Sequence, residues 1–380
     1  MSESRAHAVI DLAALQQNFR TTQQRSEGRE IIAVIKADAY GHGAVRVAQT
    51  LAGVGCRRLA VVTVDEAAEL REAGVAGEIL VLGGLSASRE ARMVAEYDLC
   101  PVVHHFRELP LVLEAARGAP APLGVEIEVD TGMQRMGVAQ SEALSLSEAV
   151  EADPLLNLSG IFTHFSHADD VSPEISLRQT ELFRSLIHEL RAAGIAPGSV
   201  HAANSSALHV GPPLLDALPE ATAVRPGLML YGATVAPHED PQQRFRPVMS
   251  VRTRVVAVRE VRPGEGVGYG GSWRASRATR VATLPIGYAD GVLRTLSNRG
   301  QIWLAGARRP MVGRVSMDYL TVEIGDSPVE VGDSATYFGL SSEGDGGIPV
   351  EEQSSAADTI AYELLVSVGN RLPREPLGDE

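Results

Sequence analysis

The feature that most constrains the fold is an alternation of short apolar runs with longer amphipathic stretches between residues 31 and 230. Continuous apolar strands separated by helices are typical of a parallel sheet that is covered on both faces. A count of eight such runs predicts a closed (β/α)8 barrel, with an open doubly wound sheet as the alternative. The runs are IIAVIKA (31–37), LAVVTV (59–64), EILVLGG (78–84), LCPVV (99–103), LGVEIEVD (123–130), LNLSGIFTHFS (156–166), SVHAANS (199–205) and TAVRPG (222–227).

Polar residues whose side chains could take part in catalysis or binding lie at the ends of several of these runs. They are Lys36, Asp130, His164, Asn204 and Arg225. Barrel enzymes gather their active sites at the carboxyl ends of the strands, so the pattern predicts a site at that face. Lys36 is the most unusual of the five, because an ammonium at the end of an apolar run must be paired or must have lost its charge.

The pattern of residue types changes after about residue 240, where Gly, Pro and Asn separate segments of alternating apolar and polar residues. This pattern predicts a β-rich domain over residues 241–380, after a barrel domain over residues 1–240. We also expect residues 1–10 to pair with the second domain. Strand candidates there are MSVRTRVVAVREV (249–261), TRVATLPIGYADG (279–291), GQIWLAGARRPMVG (300–313) and DYLTVEIG (318–325), and helical periodicity returns only in DTIAYELLVS (358–367).

Composition excludes several classes of protein. Hydrophobic residues make up 44% and charged residues 22%, as in ordinary globular domains. A net charge of −14 and the lack of a basic run argue against nucleic-acid binding. No run reaches the roughly 20 apolar residues that span a bilayer, and the N-terminus lacks a signal-peptide pattern. Two isolated cysteines, Cys56 and Cys100, suit a reducing cytoplasm, and we expect no metal site.

Eight motifs in order connect the two predicted domains to one family. AVIKADAYGHG, VDTGMQRMG, THFSHAD, HAANSSA, VRPGLMLYG, VGYG, LPIGYADG and VGRVSMD together closely resemble the alanine racemase family, enzymes that use pyridoxal phosphate on a barrel plus a β-domain. The resemblance runs from AVIDLAALQQNF (8–19) to YELLVSVGNRLPR (362–374), nearly the whole chain. It implies interconversion of L- and D-alanine for the cell wall, in a homodimer with shared active sites.

The resemblance also implies roles for individual residues. Lys36 would hold the cofactor covalently and act as one catalytic base, and Tyr269 of the other subunit would be the second. Arg225 would face the pyridine nitrogen, where it can only donate a hydrogen bond, and His164 would join it in a network. The remaining cofactor-binding positions are Tyr40, Asn204, Ser205, Gly227, Leu228 and Tyr362, and the substrate-binding positions are Arg135, Tyr288, Met317 and Asp318.

The chain departs from the family at Glu128, where many members have a lysine that becomes carbamylated. A glutamate could supply the same negative charge and orient Arg135 without modification. Other functions stay open at this point: a racemase for serine or a broader range of amino acids, a pyridoxal-phosphate-dependent decarboxylase of basic amino acids, and a non-catalytic cofactor-carrying barrel. Arg225 speaks against the decarboxylase, which is expected to place a carboxylate at the pyridine nitrogen.

Overall fold

The computed structural model describes residues 4–170, 172–234 and 245–377. Strand β1 (Ala6–Asp11) and helix α1 (Leu12–Arg25) come first, and Asp11 caps the helix by accepting the N–H of Ala14. The elements that follow are β2 (Glu30–Val34), α2 (Lys36–Gly41), α3 (Ala44–Gly53), β3 (Arg58–Val61), α4 (Val64–Glu72), β4 (Glu78–Val81), α5 (Ser88–Glu96), β5 (Cys100–Val103), α6 (Leu109–Gly118), β6 (Leu123–Asp130), β7 (Val138–Ala139), α7 (Gln140–Glu151), β8 (Leu156–Thr163), α8 (Glu174–Ala192), β9 (Ser199–Asn204), α9 (Ser205–Val210), α10 (Pro212–Leu215) and β10 (Ala223–Arg225).

Eight of these strands are parallel neighbours and form a closed ring in the order β2, β3, β4, β5, β6, β8, β9, β10. The ring closes because β5 pairs with β6, at Val102 opposite Glu126, and β10 pairs with β2, at Val224 opposite Ile31. Each strand overlaps one of the eight apolar runs in the sequence. The predicted (β/α)8 barrel is therefore confirmed, and the alternative of an open doubly wound sheet is wrong.

Charged side chains occupy the barrel interior, where most barrels carry branched apolar ones. Glu126 and His201 are completely buried, and Arg58 and Arg225 are exposed by only 7% and 4%. Buried charges are tolerated only when they are paired and hydrogen-bonded, so the interior of this barrel must contain a connected polar cluster.

The second region is mostly β-structure with two short helices near its end. Its elements are β11 (Met249–Arg254), β12 (Ala257–Val261), β13 (Gly266–Val267), β14 (Trp273–Arg274), β15 (Thr279–Leu284), β16 (Gln301–Leu304), β17 (Ala307–Pro310), β18 (Leu320–Glu323), β19 (Ser334–Leu340), β20 (Gly347–Ile348), α11 (Val350–Ala356), α12 (Ala361–Val366) and β21 (Arg374–Leu377).

The largest sheet of this region joins both ends of the chain, in the order β17, β16, β19, β11, β1, β21. Strand β1 pairs antiparallel with β11 and parallel with β21. The run 249–261 forms two strands rather than one, because β11 belongs to this sheet and β12 to a three-stranded sheet with β15 and β18. The boundary expected at residues 240/241 lies outside the described residues.

Candidate active site

A cavity of about 490 Å³ opens at the carboxyl ends of the barrel strands. Eleven of the residues singled out in the sequence line it, although they come from separate motifs. These eleven are Lys36, Tyr40, Glu128, Arg135, His164, Asn204, Ser205, Arg225, Gly227, Leu228 and Tyr362, whereas Asp130 does not line the cavity.

Lys36 begins the segment α2, directly after β2, and the backbone of residues 37–40 is left-handed, with φ between 52° and 54°. Such backbone costs a non-glycine residue about 1–2 kcal/mol, so a run of four requires support from its surroundings. Part of that support comes from Glu66, whose carboxylate accepts the N–H of Ala37 at 2.7 Å. Asp38 adds to it by accepting the N–H of Ala44 at 2.7 Å. This turn lets Lys36 and Tyr40 reach the same cavity.

The amine of Lys36 is placed among cations. Burial and the neighbouring Arg135 lower the pKa of Lys36, and Arg225 adds to that effect, while Glu66 and Glu128 oppose it. A lysine with a lowered pKa is neutral in a larger fraction of molecules at neutral pH, and the neutral amine is the nucleophilic and basic form.

Hydrogen-bond donors converge on the side of the cavity formed by β9, β10 and the turn after β10. The Ser205 hydroxyl accepts the N–H of Gly227 at 2.9 Å and of Met229 at 3.3 Å, which leaves its own proton free to donate. Leu228 starts a 3-10 turn (Leu228–Tyr231), so its N–H has no partner within that turn.

Two tyrosines complete this donor set. Tyr40 packs so closely on Gly227 that a Cβ there would stand 2.4 Å from the phenol oxygen, and its ring centre lies 5.8 Å from that of Tyr362. Burial raises the pKa of Tyr40, and burial also raises the pKa of Tyr362 to about 12, so both keep their protons. Hydroxyls and backbone N–H groups in one concave place suit a phosphate. Asn204 fixes the adjacent helix α9 by accepting the N–H of Ala207 at 3.0 Å.

Arg225 is held in one orientation by partners on several sides. Its Nη2 donates to the Thr163 carbonyl at 2.7 Å, and its Nη1 donates to Nδ1 of His201 and to the His201 carbonyl at 3.2 Å. The ring of Phe162 lies 4.4 Å from Cζ. Burial lowers the pKa of Arg225 to about 10, which leaves the guanidinium charged at neutral pH.

His164 lies beside Arg225, with Nδ1 3.4 Å from Nη2. Burial and the charge of Arg225 lower the pKa of His164 to about 3, although Glu128 acts in the opposite direction. The imidazole is therefore neutral at physiological pH and can accept a proton or a hydrogen bond.

Glu128 pairs with a histidine that the sequence did not point to. Its Oε2 lies 3.1 Å from Nε2 of His104, and Nδ1 of His104 lies 3.5 Å from Glu108. Burial alone would raise the pKa of Glu128, but His104 outweighs it and lowers that pKa. Burial lowers the pKa of His104, but the two carboxylates outweigh burial and raise that pKa to about 9. The partner of Glu128 is thus His104 rather than Arg135, whose side chain is exposed.

Of the five sequence-selected residues of the second region, only Tyr362 lines this cavity. Tyr269, Tyr288 and Met317 are 72%, 45% and 52% exposed, and Asp318 pairs with Arg371 at 2.8 Å. Tyr288 and Met317 come from adjacent loops, since the N–H of Tyr288 donates to the Ser316 carbonyl at 3.0 Å. Large exposed side chains of these types are enriched in surfaces that contact another chain.

Sequence reasoning missed His201, Glu126, Phe162 and His104 as parts of the site. A signal for Glu126 was present, because Glu126 and Glu128 alternate with apolar residues in VEIEVD and so share the inward face of β6. Two carboxylates at successive inward positions of a barrel strand require buried cations or donors. His201 occupies an equivalent position in SVHAAN.

Comparison with known proteins relates the whole chain to one family. The model of the alanine racemase N-terminal domain matches residues 10–235, and that of the C-terminal domain matches residues 248–376. An alanine racemase from Treponema pallidum is 40% identical over 376 residues, which cover 97% of this chain and 98% of that protein. An alanine racemase from Sorangium cellulosum is 37% identical over 377 residues, 97% of each chain.

Solved structures give the same relationship. The crystal structure of alanine racemase from D-cycloserine-producing Streptomyces lavendulae superposes with a TM-score of 0.92 at 34% identity, over 100% of this chain and 99% of that one. The structure of alanine racemase from Bacillus anthracis with bound L-Ala-P gives a TM-score of 0.89 at 31% identity, over 100% and 96% of the two chains.

Within residues 4–170, 172–234 and 245–377, no helix is both long and apolar enough to cross a membrane.

Proposed function

Because the chain belongs to the alanine racemase family, we propose that it interconverts L- and D-alanine with pyridoxal 5′-phosphate bound at the barrel mouth. The observation that carries the proposal is the surroundings of Lys36. Its amine has a lowered pKa and shares one cavity with a fixed cation, Arg225, and with a set of O–H and N–H donors.

The residues of the cavity fit this cofactor. An amine attacks an aldehyde only in its neutral form, which the surroundings of Lys36 favour. The donor set carries no negative charge of its own, as a phosphate site requires. The residues that would hold the phosphate are Tyr40, Ser205, Gly227, Leu228 and Tyr362, with Asn204 ordering the helix beside them.

When bound, the cofactor supplies an electron sink that acidifies the α-C–H bond of an amino acid. Arg225 would donate a hydrogen bond to the ring nitrogen without giving it a full proton, because a guanidinium does not deprotonate easily. The sink is then weaker than one paired with a carboxylate. A weaker sink suits proton exchange at one carbon better than decarboxylation or amino-group transfer.

Racemisation requires a base on each face of the α-carbon, and we assign these roles to Lys36 and to Tyr269 of the partner subunit. Support for a shared site in a homodimer comes from Tyr269 in this chain, which is 72% exposed and outside the cavity. Arg135 at the rim would bind the substrate carboxylate. We further propose that Tyr288, Met317 and Asp318 narrow the partner's entrance, which favours a small side chain.

Isotope exchange tests the reaction. The purified protein with pyridoxal phosphate and L-alanine in D2O should give α-deuterated alanine and the D enantiomer. Pyruvate, an amine product or the absence of exchange would contradict the proposal. The same assay with serine, lysine and arginine decides between alanine and the broader substrate ranges.

Subunit complementation tests the shared site. Lys36→Ala and Tyr269→Phe homodimers should each lose racemisation. After unfolding and refolding together, a mixed dimer contains one site with both lesions and one intact site, so about one quarter of wild-type activity should return. If both bases belonged to one chain, mixing would restore nothing.

We place the reaction in the cytoplasm, as a source of D-alanine for the cell wall. Membership of the family supports this placement. The gene should allow a bacterial strain that requires D-alanine to grow without it, and the Lys36→Ala variant should not.

A further inference from the structure

We propose that Glu126 is a positioning residue that fixes the tautomer of His201, so that Nδ1 of His201 remains a hydrogen-bond acceptor for Arg225. The inference deepens the proposed function and rests on it only for the effect on turnover. The tautomer itself is a property of this chain.

The contacts of His201 leave one neutral tautomer. Its Nε2 lies 2.8 Å from Oε2 of Glu126, and its Nδ1 receives a hydrogen bond from Nη1 of Arg225. A guanidinium has only donors, so Nδ1 must offer a lone pair, and the ring proton must sit on Nε2 and point to the carboxylate. Burial and Arg225 lower the pKa of His201 to about 4, although Glu126 opposes them, so the ring is neutral at pH 7.

Glu126 is held as a carboxylate by a second cation. Its Oε1 accepts a hydrogen bond from Arg58 at 2.7 Å, and Arg58 also pairs with Glu78 at 2.5 Å and donates to Ser199 at 3.0 Å. Burial raises the pKa of Glu126, but His201 and Arg58 outweigh that effect and lower it. Strand β8 makes room for the carboxylate with Gly160, where a Cβ would stand 2.5 Å from Oε1.

His201 cannot turn away from this geometry. Its ring stacks on Phe162 with centres 4.9 Å apart and planes inclined by 13°, and the same Phe162 ring covers the guanidinium of Arg225. The ring is completely buried. The position of its proton is therefore the remaining variable, and a proton on Nδ1 would face an N–H of Arg225 and push the guanidinium out of place.

Replacement of Glu126 by glutamine should move that proton without changing side-chain volume. Arg58 donates only, so it will take the amide oxygen, and the amide NH2 will then face Nε2 of His201. Nε2 must accept, the proton moves to Nδ1, and Arg225 loses an acceptor. The matched control is Glu78→Gln, which changes another carboxylate on Arg58 and does not touch His201.

The experiment is ¹⁵N solid-state NMR of holoenzyme with histidine labelled at Nε2, and with His201 assigned by difference from His201→Asn. We expect a protonated Nε2 at pH 7 in the wild type and in Glu78→Gln, and an unprotonated Nε2 in Glu126→Gln. We also expect Glu126→Gln to lower kcat by about 10²-fold, the cost of displacing a functional group by about 1 Å, with a smaller change in KM.

A wild-type His201 that is protonated on Nδ1, or on both nitrogens, would overturn the proposal even if the variant failed to fold. An unchanged tautomer in Glu126→Gln, or a changed tautomer with wild-type kcat, would also overturn it. A wild-type protein without racemase activity would contradict the proposed function, while the spectra would still decide the tautomer.

Discussion

Two carboxylates that each face a histidine lie two positions apart on strand β6, and one of these histidines is neutral while the other is protonated. Glu126 faces His201, whose pKa is lowered to about 4, and Glu128 faces His104, whose pKa is raised to about 9. The facing atoms are 2.8 Å and 3.1 Å apart. Contact with one carboxylate therefore does not decide whether a buried histidine is charged.

The neighbours of each pair decide it. His201 is completely buried and contacts the cation Arg225, and Arg58 already uses the charge of Glu126. His104 instead lies between two carboxylates, Glu128 and Glu108. The pair with an excess of cations leaves its histidine neutral, and the pair with an excess of anions protonates its histidine.

The two outcomes serve the site differently. The neutral His201 offers a lone pair beneath Arg225, which fixes the direction of that guanidinium. The charged His104 keeps Glu128 an anion at the cavity wall, where it opposes the cations around Lys36. One strand thus carries an orienting contact and a charge-balancing contact in successive layers of the barrel.

Removing the carboxylate of Glu126, which faces the neutral His201, should have the largest effect on the free energy of unfolding. Glu126→Ala leaves Arg58 without its buried partner, and the loss of one member of a buried ion pair lowers the free energy of unfolding by about 3–5 kcal/mol. Gly160→Ala alone should cost about 1–3 kcal/mol, because its Cβ would overlap Glu126. In the double variant that overlap is gone, so it should be at least as stable as Glu126→Ala. Urea unfolding at one protein concentration measures this cycle, and simple additivity would contradict it.

The pair of Glu128 with the protonated His104 should make the free energy of unfolding fall at alkaline pH. The folded pKa of His104, about 9, lies above its unfolded value near 6.5. Its stabilisation is therefore complete below pH 6.5 and is lost as the pH rises through 9. The loss amounts to about 3 kcal/mol, at about 1.4 kcal/mol for each pKa unit. The difference in unfolding free energy between wild type and His104→Gln should shrink by this amount from pH 6 to pH 9.5, and a constant difference would contradict the assigned charge.

Neutralising Glu128 should have a smaller effect, which is to lower the pKa values of His104 and Lys36. In Glu128→Gln, His104 keeps Glu108 as a partner but loses the other anion, so the pKa of His104 should fall. The pKa of Lys36 should fall as well, because Glu128 raises it in the wild type. A ¹⁵N titration of His104 reports the first shift, and the pH midpoint of pyridoxal phosphate uptake reports the second. Neither midpoint should move in Glu78→Gln, which alters a carboxylate at the other end of the barrel.

The barrel and the polar residues at the ends of its strands were predictable from local pattern, whereas the other cavity residues were expected only from the resemblance to the family. Each apolar run became one strand of the ring, and four of the five polar residues that ended a run line the cavity. The fifth, Asp130, does not line it and accepts the N–H groups of Gly132 and Gln134 instead. The left-handed backbone at residues 37–40 was not predictable, since Ala, Asp and Tyr do not favour positive φ. It depends on contacts from Glu66 and from Ala44, which only the folded chain brings into place.

The contacts between side chains inside the barrel could not be predicted from local sequence pattern either. Glu126 and Arg58 are 68 positions apart and meet across the barrel interior, so nothing near either residue indicates the other. In the β-rich region, the run 249–261 looked continuous, but its two halves belong to different sheets. Helix α11 was missed because Val350–Ala356 is short and mostly polar.

The smallest expected effect concerns bicarbonate, and it bears on what Glu128 replaces. Glu128 is an anion by itself, because His104 lowers its pKa. Wild-type turnover should therefore be the same in bicarbonate-free buffer and with added bicarbonate. In Glu128→Lys a new amine would take the place of the Glu128 anion beside His104, and only addition of CO2 to that amine would restore a carboxylate at this position. Activity of Glu128→Lys should rise with bicarbonate, whereas that of Glu128→Gln should be insensitive to it. A wild type stimulated by bicarbonate would show that the anion comes from elsewhere.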